Sequence, residues 1–164
     1  MSKRRSFLKS ATVLGAATLL HQTSWGNESF AKTKVKPKKL SPGDTIGLVA
    51  PGFAIKLEEL YLAVDTLEKM GFKTFYTDRI KGNYGYFSNT DEERAADLNE
   101  MFANPDIDAI LCARGGYGCT RILGMLDYDA IEENPKALIG FSDITALINT
   151  IYKKTGLVGF HGPV

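Results

Sequence analysis

The sequence holds 164 residues, 44% hydrophobic and 24% charged, with 20 Lys and Arg against 19 Asp and Glu for a net charge of +1. That balance fits an ordinary folded domain and excludes a polybasic nucleic-acid binder and an acidic solvating tail. Two cysteines exclude a disulfide-dense scaffold, and 16 glycines without a G-X-Y period exclude collagen.

The chain opens Lys3-Arg4-Arg5-Ser6-Phe7-Leu8-Lys9 and continues with the apolar run Ala11 to Leu20. A positive segment before a short apolar one is the layout of an export signal. Paired arginines followed by x-Phe-Leu-Lys are of the twin-arginine type. Lys3 departs from the Ser or Thr usual at that place. The small-x-small triplet Ser29-Phe30-Ala31 puts cleavage after Ala31. An uncut membrane anchor is the alternative, and the short apolar run disfavours it. Residues 1–31 are therefore expected to hand a folded cargo to twin-arginine export machinery. The protein would then work in the periplasm or on the outer face of the inner membrane. Lys32, Lys34, Lys36, Lys38 and Lys39 follow, and segment 32–42 is predicted as a solvated basic linker. Contact with anionic lipid is the lesser reading.

Residues 43–164 are predicted as one α/β domain. Ile46 to Ala50 is an apolar strand stopped by Pro51-Gly52. Leu57, Leu60, Tyr61, Val64, Leu67 and Met70 share one helical face, and Gly71 stands where a C-cap glycine belongs. Phe72 to Thr77 is predicted as a strand. Lys81 to Ser88, with Gly82, Asn83, Gly85 and the aromatics Tyr84, Tyr86 and Phe87, is a loop that packs or binds. Thr90 and Glu93 form a capping box for a helix reaching Phe102, and Asn104-Pro105 ends it. Asp108 to Cys112 is a strand, Thr120 to Met125 and Tyr128 to Glu133 are short helices, and Ala137 to Gly140 is a strand. Ile144 to Thr155 is a helix and Leu157 to Phe160 a fifth strand. Strands alternating with helices predict a parallel sheet with helices on both faces and right-handed crossovers. The chain stops soon after the fifth strand, so a fragment of a longer protein is expected.

In open α/β sheets function gathers at the carboxyl ends of strands. Three such ends are informative: Ala50-Pro51-Gly52, Ala113-Arg114-Gly115-Gly116-Tyr117-Gly118 and Gly140-Phe141-Ser142-Asp143. Ser142 lies between a strand and a helix, where a sharp turn lifts a hydroxyl off the sheet edge. The helix N-terminus beside it offers free N–H groups to an oxyanion. Serine is equally a preferred N-cap, and Ile144 breaks the G-x-S-x-G pattern. Gly115 and Gly116 either line a site with N–H groups or serve a tight turn. Arg114 is a candidate for a substrate carboxylate, with a structural ion pair as the alternative. Tyr117 is taken with it as substrate-binding. His21 lies in the signal, and His161 reads as a loop histidine rather than a base. Cys112 and Cys119 lack partners at zinc spacing. They are read as buried thiols, with a disulfide as the alternative.

Pro42-Gly43-Asp44-Thr45-Ile46-Gly47-Leu48-Val49-Ala50-Pro51, Arg114-Gly115-Gly116-Tyr117-Gly118, Gly140-Phe141-Ser142-Asp143-Ile144-Thr145 and His161-Gly162-Pro163 occur in this order. So arranged, they resemble the LD-carboxypeptidase family of serine peptidases, which includes murein tetrapeptide carboxypeptidases and microcin C self-immunity peptidases. The likeness runs from Leu40 to Val164. It implies the α/β sandwich of the family's N-terminal domain and cleavage between meso-diaminopimelate and terminal D-alanine of a murein tetrapeptide. It implies Ser142 as nucleophile, and the N–H of Asp143 with that of Gly115 or Gly116 as oxyanion hole. It implies no metal or cofactor, no nucleic acid, and often a homodimer. The family's triad Glu and His come from a C-terminal domain that this chain lacks, and His161 does not match the triad histidine. The chain alone is therefore expected to be inactive, and a non-catalytic envelope peptide-binding module is the alternative. Activity on aminoacyl-adenylate amides is a lesser option, which export disfavours.

Overall fold

The structure is a computed structural model that describes residues 32–162. The export signal expected at 1–31 lies outside the described residues. Five parallel strands form one sheet in the order β2-β1-β3-β4-β5: β1 Thr45–Val49, β2 Lys73–Phe75, β3 Ala109–Cys112, β4 Ala137–Gly140 and β5 Phe160–His161. The connections carry α1 Leu57–Lys69, α2 Asp91–Ala103, α3 Tyr128–Glu133 and α4 Ile144–Thr155, with 3-10 turns at Asp78–Lys81 and Cys119–Met125.

Alternate strand residues feed two cores, as the two-residue period of a strand requires. Ile46, Leu48, Ala50 and Ala109 pack with Leu60 and Leu67 of α1. Val49, Ile110, Cys112 and Leu138 pack on the opposite face with Leu98 and Phe102 of α2, Ile131 of α3 and Leu147 and Ile151 of α4. The chain moves one way from β1 to β2 and back the other way from β2 to β3. Right-handed crossovers therefore leave α1 on one face and the later helices on the other. Helices thus cover both faces, as the α/β pattern predicts.

Local signals account for the helix ends. Thr90 Oγ1 accepts from Glu93 N at 3.3 Å, and Glu93 Oε2 accepts from Thr90 N at 3.2 Å, so the capping box at α2 forms. The Lys136 ammonium reaches Met101 O at 2.8 Å and also Asn104 O, satisfying carbonyls at the far end of the same helix.

Three expectations change. The fifth strand is not Leu157 to Phe160 but Phe160–His161. Leu157 instead bridges Val35, with Val35 N to Gly156 O and Val158 N to Val35 O both at 2.9 Å. The backbone of 156–158 is thus occupied by the N-terminal segment, and the chain joins β4 only after Gly159. The same contact alters the picture of segment 32–42. Its lysines are exposed, yet its backbone lies along the domain. Lys32 pairs with Glu132 at 2.6 Å and Lys38 with Asp108 at 3.0 Å. The predicted strand 72–77 is also shorter, because the turn at Asp78–Lys81 starts directly after Thr77.

Candidate active site

β4 ends at Gly140, Phe141 carries the chain off the sheet, and α4 begins at Ile144. Between them Ser142 takes φ 57°, the one positive φ at a non-glycine position among the described residues. That left-handed backbone costs a residue with a Cβ about 1–3 kcal/mol, and such strain gathers at functional sites. The turn is held by Ile144 N to Phe141 O and Thr145 N to Ser142 O, both at 3.1 Å, and by Thr145 Oγ1 to Ser142 O at 2.6 Å. Ser142 is exposed. Among the described residues its hydroxyl has no hydrogen-bond partner, and α4 carries no side-chain cap bond. The serine therefore does not serve as the cap that its position also permits; its Oγ stands free at the carboxyl edge of the sheet.

The glycine-rich loop after β3 lies against this turn. A Cβ on Gly115 would sit 2.8 Å from Ser142 Cβ and 3.2 Å from Phe141 O. Gly116 has φ 111°, and a Cβ there would sit 2.6 Å from Phe53 Cβ. Only glycine lets the loop pass between the serine turn and Phe53. Among the described residues, the N–H groups of Gly115, Gly116 and Asp143 donate to no protein acceptor. The turn and N–H readings of these glycines are therefore compatible: the tight packing brings unpaired donors beside Ser142.

Hydrogen bonds knit the strand-end loops together. Phe53 N donates to Gly115 O at 3.2 Å, Ala54 N to Tyr86 O at 3.2 Å, and Ser88 Oγ to Ala50 O at 2.7 Å. Asp143 turns its carboxylate back to accept Cys119 N at 2.7 Å. Arg94 of α2 is 1% exposed. Its Nη1 donates to Pro51 O and, at 3.4 Å, to Gly118 O; its Nη2 pairs with Asp91. The guanidinium lies 4.4 Å from the Phe87 ring centre. Burial works to raise the Asp91 pKa, but the bonds from Arg94 and Arg121 more than offset it and hold the carboxyl below its ordinary value. Sequence reasoning missed Arg94. The signal was a cation in register with Leu98 and Met101 on the buried stripe of α2.

Arg114 is not free. Its Nη1 lies 2.6 Å from Glu59 Oε2 of α1, and its guanidinium stands 4.5 Å from the Phe53 ring centre. It borders a cleft of about 570 Å³ between α1 and the sheet, lined also by Leu62, Thr66, Leu111, Ala113 and Phe141. Tyr117 is 63% exposed and stacks on Phe87 at 6.2 Å, with Tyr86 edge-on at 6.0 Å. Tyr86 packs edge-on against Phe53 at 4.5 Å. The Tyr84 to Phe87 loop thus joins an aromatic wall beside the glycine loop and lines a second cleft of about 440 Å³ with Asp91 and Arg121.

Among the described residues, neither the cysteines nor His161 adds a catalytic group here. Cys112 and Cys119 are free and buried. Burial pushes the Cys112 thiol well up, and burial with the nearby Asp143 charge pushes Cys119 up to about 12. Both stay protonated and poorly nucleophilic. His161 is exposed on β5, paired in register with Gly140. It therefore sits at the same sheet edge as Ser142 without a hydrogen bond to it.

Residues 46–162 match the LD-carboxypeptidase N-terminal domain. The chain is 43% identical over 129 residues to a probable murein peptide carboxypeptidase of Bacillus subtilis (strain 168), covering 79% of this chain and 40% of that protein. The solved wild-type apo structure of the microcin C7 self-immunity protein, known from Escherichia coli, superposes with a TM-score of 0.76 at 39% identity. That match covers 79% of this chain and 40% of the other. A muramoyltetrapeptide carboxypeptidase structure from Oxalobacter formigenes superposes with a TM-score of 0.66 at 32% identity, covering 73% and 40%. The chain spans about 40% of the length of the relatives it matches. Sheet order, strand-end loops and family match agree, and the chain belongs to the LD-carboxypeptidase family.

Proposed function

We propose that this chain supplies the nucleophile-bearing domain of a serine LD-carboxypeptidase that acts on murein peptides. The bond cut is that between meso-diaminopimelate and terminal D-alanine. The observation that carries this reading is Ser142 itself: strained, exposed, unpaired at Oγ, and pressed against Gly115. In the reaction Ser142 Oγ attacks the diaminopimelate carbonyl while a base takes its proton. The oxyanion that forms is met by the N–H groups of Asp143 and of Gly115 or Gly116, which are worth most where water is excluded. D-alanine leaves as the amine, carrying the proton from the base. Water then attacks the acyl-serine and frees the shortened peptide. Arg114 and Tyr117 flank the loop as substrate-binding residues. Nothing among the described residues hydrogen-bonds Ser142 Oγ, so the base is assigned outside them.

The names of the similar proteins support a murein-peptide substrate. The microcin immunity relative keeps aminoacyl-nucleotide amides as the lesser substrate class. A non-catalytic wall-peptide-binding module is the second reading, favoured by that unpartnered hydroxyl in the chain taken alone. Export through residues 1–31 belongs to the same proposal and places the activity outside the inner membrane.

The experiment is release of D-alanine from murein tetrapeptide by the full-length protein, compared with Ser142→Ala. Turnover that vanishes in Ser142→Ala supports the peptidase. Tetrapeptide binding without turnover in both forms supports the binding module. Replacing Arg4 and Arg5 by Lys should leave the protein in the cytoplasm if the twin-arginine reading holds.

A further inference from the structure

One peptide group at the site is held from both ends by opposite charges. The carbonyl oxygen of Gly118 accepts from Arg94 Nη1 at 3.4 Å, and the N–H of the next residue, Cys119, donates to Asp143 Oδ2 at 2.7 Å. These two atoms belong to the single Gly118–Cys119 peptide. Its dipole runs with the negative oxygen toward the guanidinium and the positive N–H toward the carboxylate, so both contacts favour one orientation of the plane. Gly118 has φ 96°. A peptide next to a glycine is the kind that flips at little steric cost, and here the two charges oppose the flip.

The partners are well placed for this. Arg94 is buried, also holds Pro51 O, and rests on Phe87, so its guanidinium spans the loops after β1 and β3. Its Nε is buried with no partner among the described residues, a cost not explained by packing alone. Asp143 follows Ser142 directly. Its side chain grips one end of the 115–119 loop while its own N–H stands beside the nucleophile. Gly115, at the other end of that loop, touches Ser142.

We infer that Arg94 and Asp143 are positioning residues that clamp the Gly118–Cys119 peptide and thereby fix the glycine loop's N–H donors against Ser142. The inference rests on the serine-peptidase reading of the site. Neither side chain touches the reacting atoms; each acts through the loop. Donor placement matters most when charge develops on the substrate oxygen, so the clamp serves the transition state rather than substrate affinity.

The test uses the full-length protein with murein tetrapeptide. Arg94→Met and Asp143→Ala should each lower kcat about 100-fold with KM nearly unchanged, the scale of a misplaced catalytic group. The double variant should lose little more than either single one, because both act on one peptide. Asp143→Asn keeps an oxygen for Cys119 N–H and should recover most of the loss. Independently of turnover, the Cys119 amide should exchange hydrogen slowly in the parent and rapidly in Asp143→Ala, while the amides of α2 keep their protection. Unchanged kcat in Asp143→Ala overturns the clamp, and so does an Asn variant no better than Ala. Rapid Cys119 exchange in the parent overturns it as well. If the parent itself releases no D-alanine, the peptidase reading fails, and the exchange measurement still decides the clamp.

Discussion

Arg114 Nη1 lies 2.6 Å from Glu59 Oε2, so the guanidinium proposed to take a substrate carboxylate already holds one from α1. Both side chains are partly exposed, and a pair in that setting is weak enough to be exchanged. If the substrate carboxylate competes with Glu59, Glu59→Gln lowers KM for tetrapeptide and leaves kcat alone. Arg114→Gln should raise KM about tenfold or more, the worth of a charge-assisted hydrogen bond. Steady-state kinetics on the two variants decide it. A Glu59→Gln variant with raised KM would show that Glu59 orients Arg114 instead of competing for it.

The left-handed backbone at Ser142 makes a stability prediction opposite in sign to the activity one. Ser142→Gly removes the Cβ that opposes φ 57° and should stabilise the protein by about 1 kcal/mol relative to Ser142→Ala. Under the proposed nucleophile role both variants should lose turnover. Urea unfolding of the pair measures the difference. Equal midpoints would mean that the turn carries no strain.

Gly115→Ala places a methyl 2.8 Å from Ser142 Cβ, with Phe141 O at 3.2 Å. Neither neighbour is the end of a flexible side chain, so the serine turn must move. A stability loss of about 1–3 kcal/mol is expected from overpacking, together with a fall in kcat. Gly124→Ala has open space around it and is the control. A Gly115→Ala protein with parental turnover would remove the glycine loop from the site.

Asp108 ties the N-terminal segment to the sheet. Its carboxylate accepts Thr45 N at 2.9 Å and pairs with Lys38 at 3.0 Å. The Thr45 N–H first, and then Lys38, lower its pKa below the ordinary 3.8. A carboxyl depressed on folding adds stability above its unfolded pKa and loses it as pH falls through the folded value. The parent should therefore lose stability more steeply below about pH 4 than Asp108→Asn. Parallel curves of urea midpoint against pH would contradict the assignment.

The fold was legible because most of its signals are local. Thr90 and Glu93 announce the start of α2, and the apolar steps from Leu57 to Met70 announce α1. Ser142 was legible as a position, since Gly140-Phe141-Ser142-Asp143 lies between a strand and a helix. Its positive φ was not, because no residue type at a non-glycine position marks a left-handed turn, and the close approach of Gly115 comes from a loop distant in sequence. Arg94 was hidden for the same reason: its acceptors, Pro51 O and Gly118 O, are backbone atoms of remote loops, and no residue type marks them. The fifth strand was misplaced because an apolar Leu157-Val158 pair looks alike whether it pairs with β4 or with Val35. Only the meeting of the two ends of the domain distinguishes them.

That meeting also orders events during synthesis. Val35 emerges from the ribosome long before Leu157, yet the bridge needs both. The sheet can assemble strand by strand as the chain lengthens, whereas the lysine-rich segment finds its seat only after β4 and α4 exist. Chain closure across so long a separation is slow relative to helix formation. Until that bridge closes the lysine-rich segment is undocked, and its docking reports that the rest of the domain has folded.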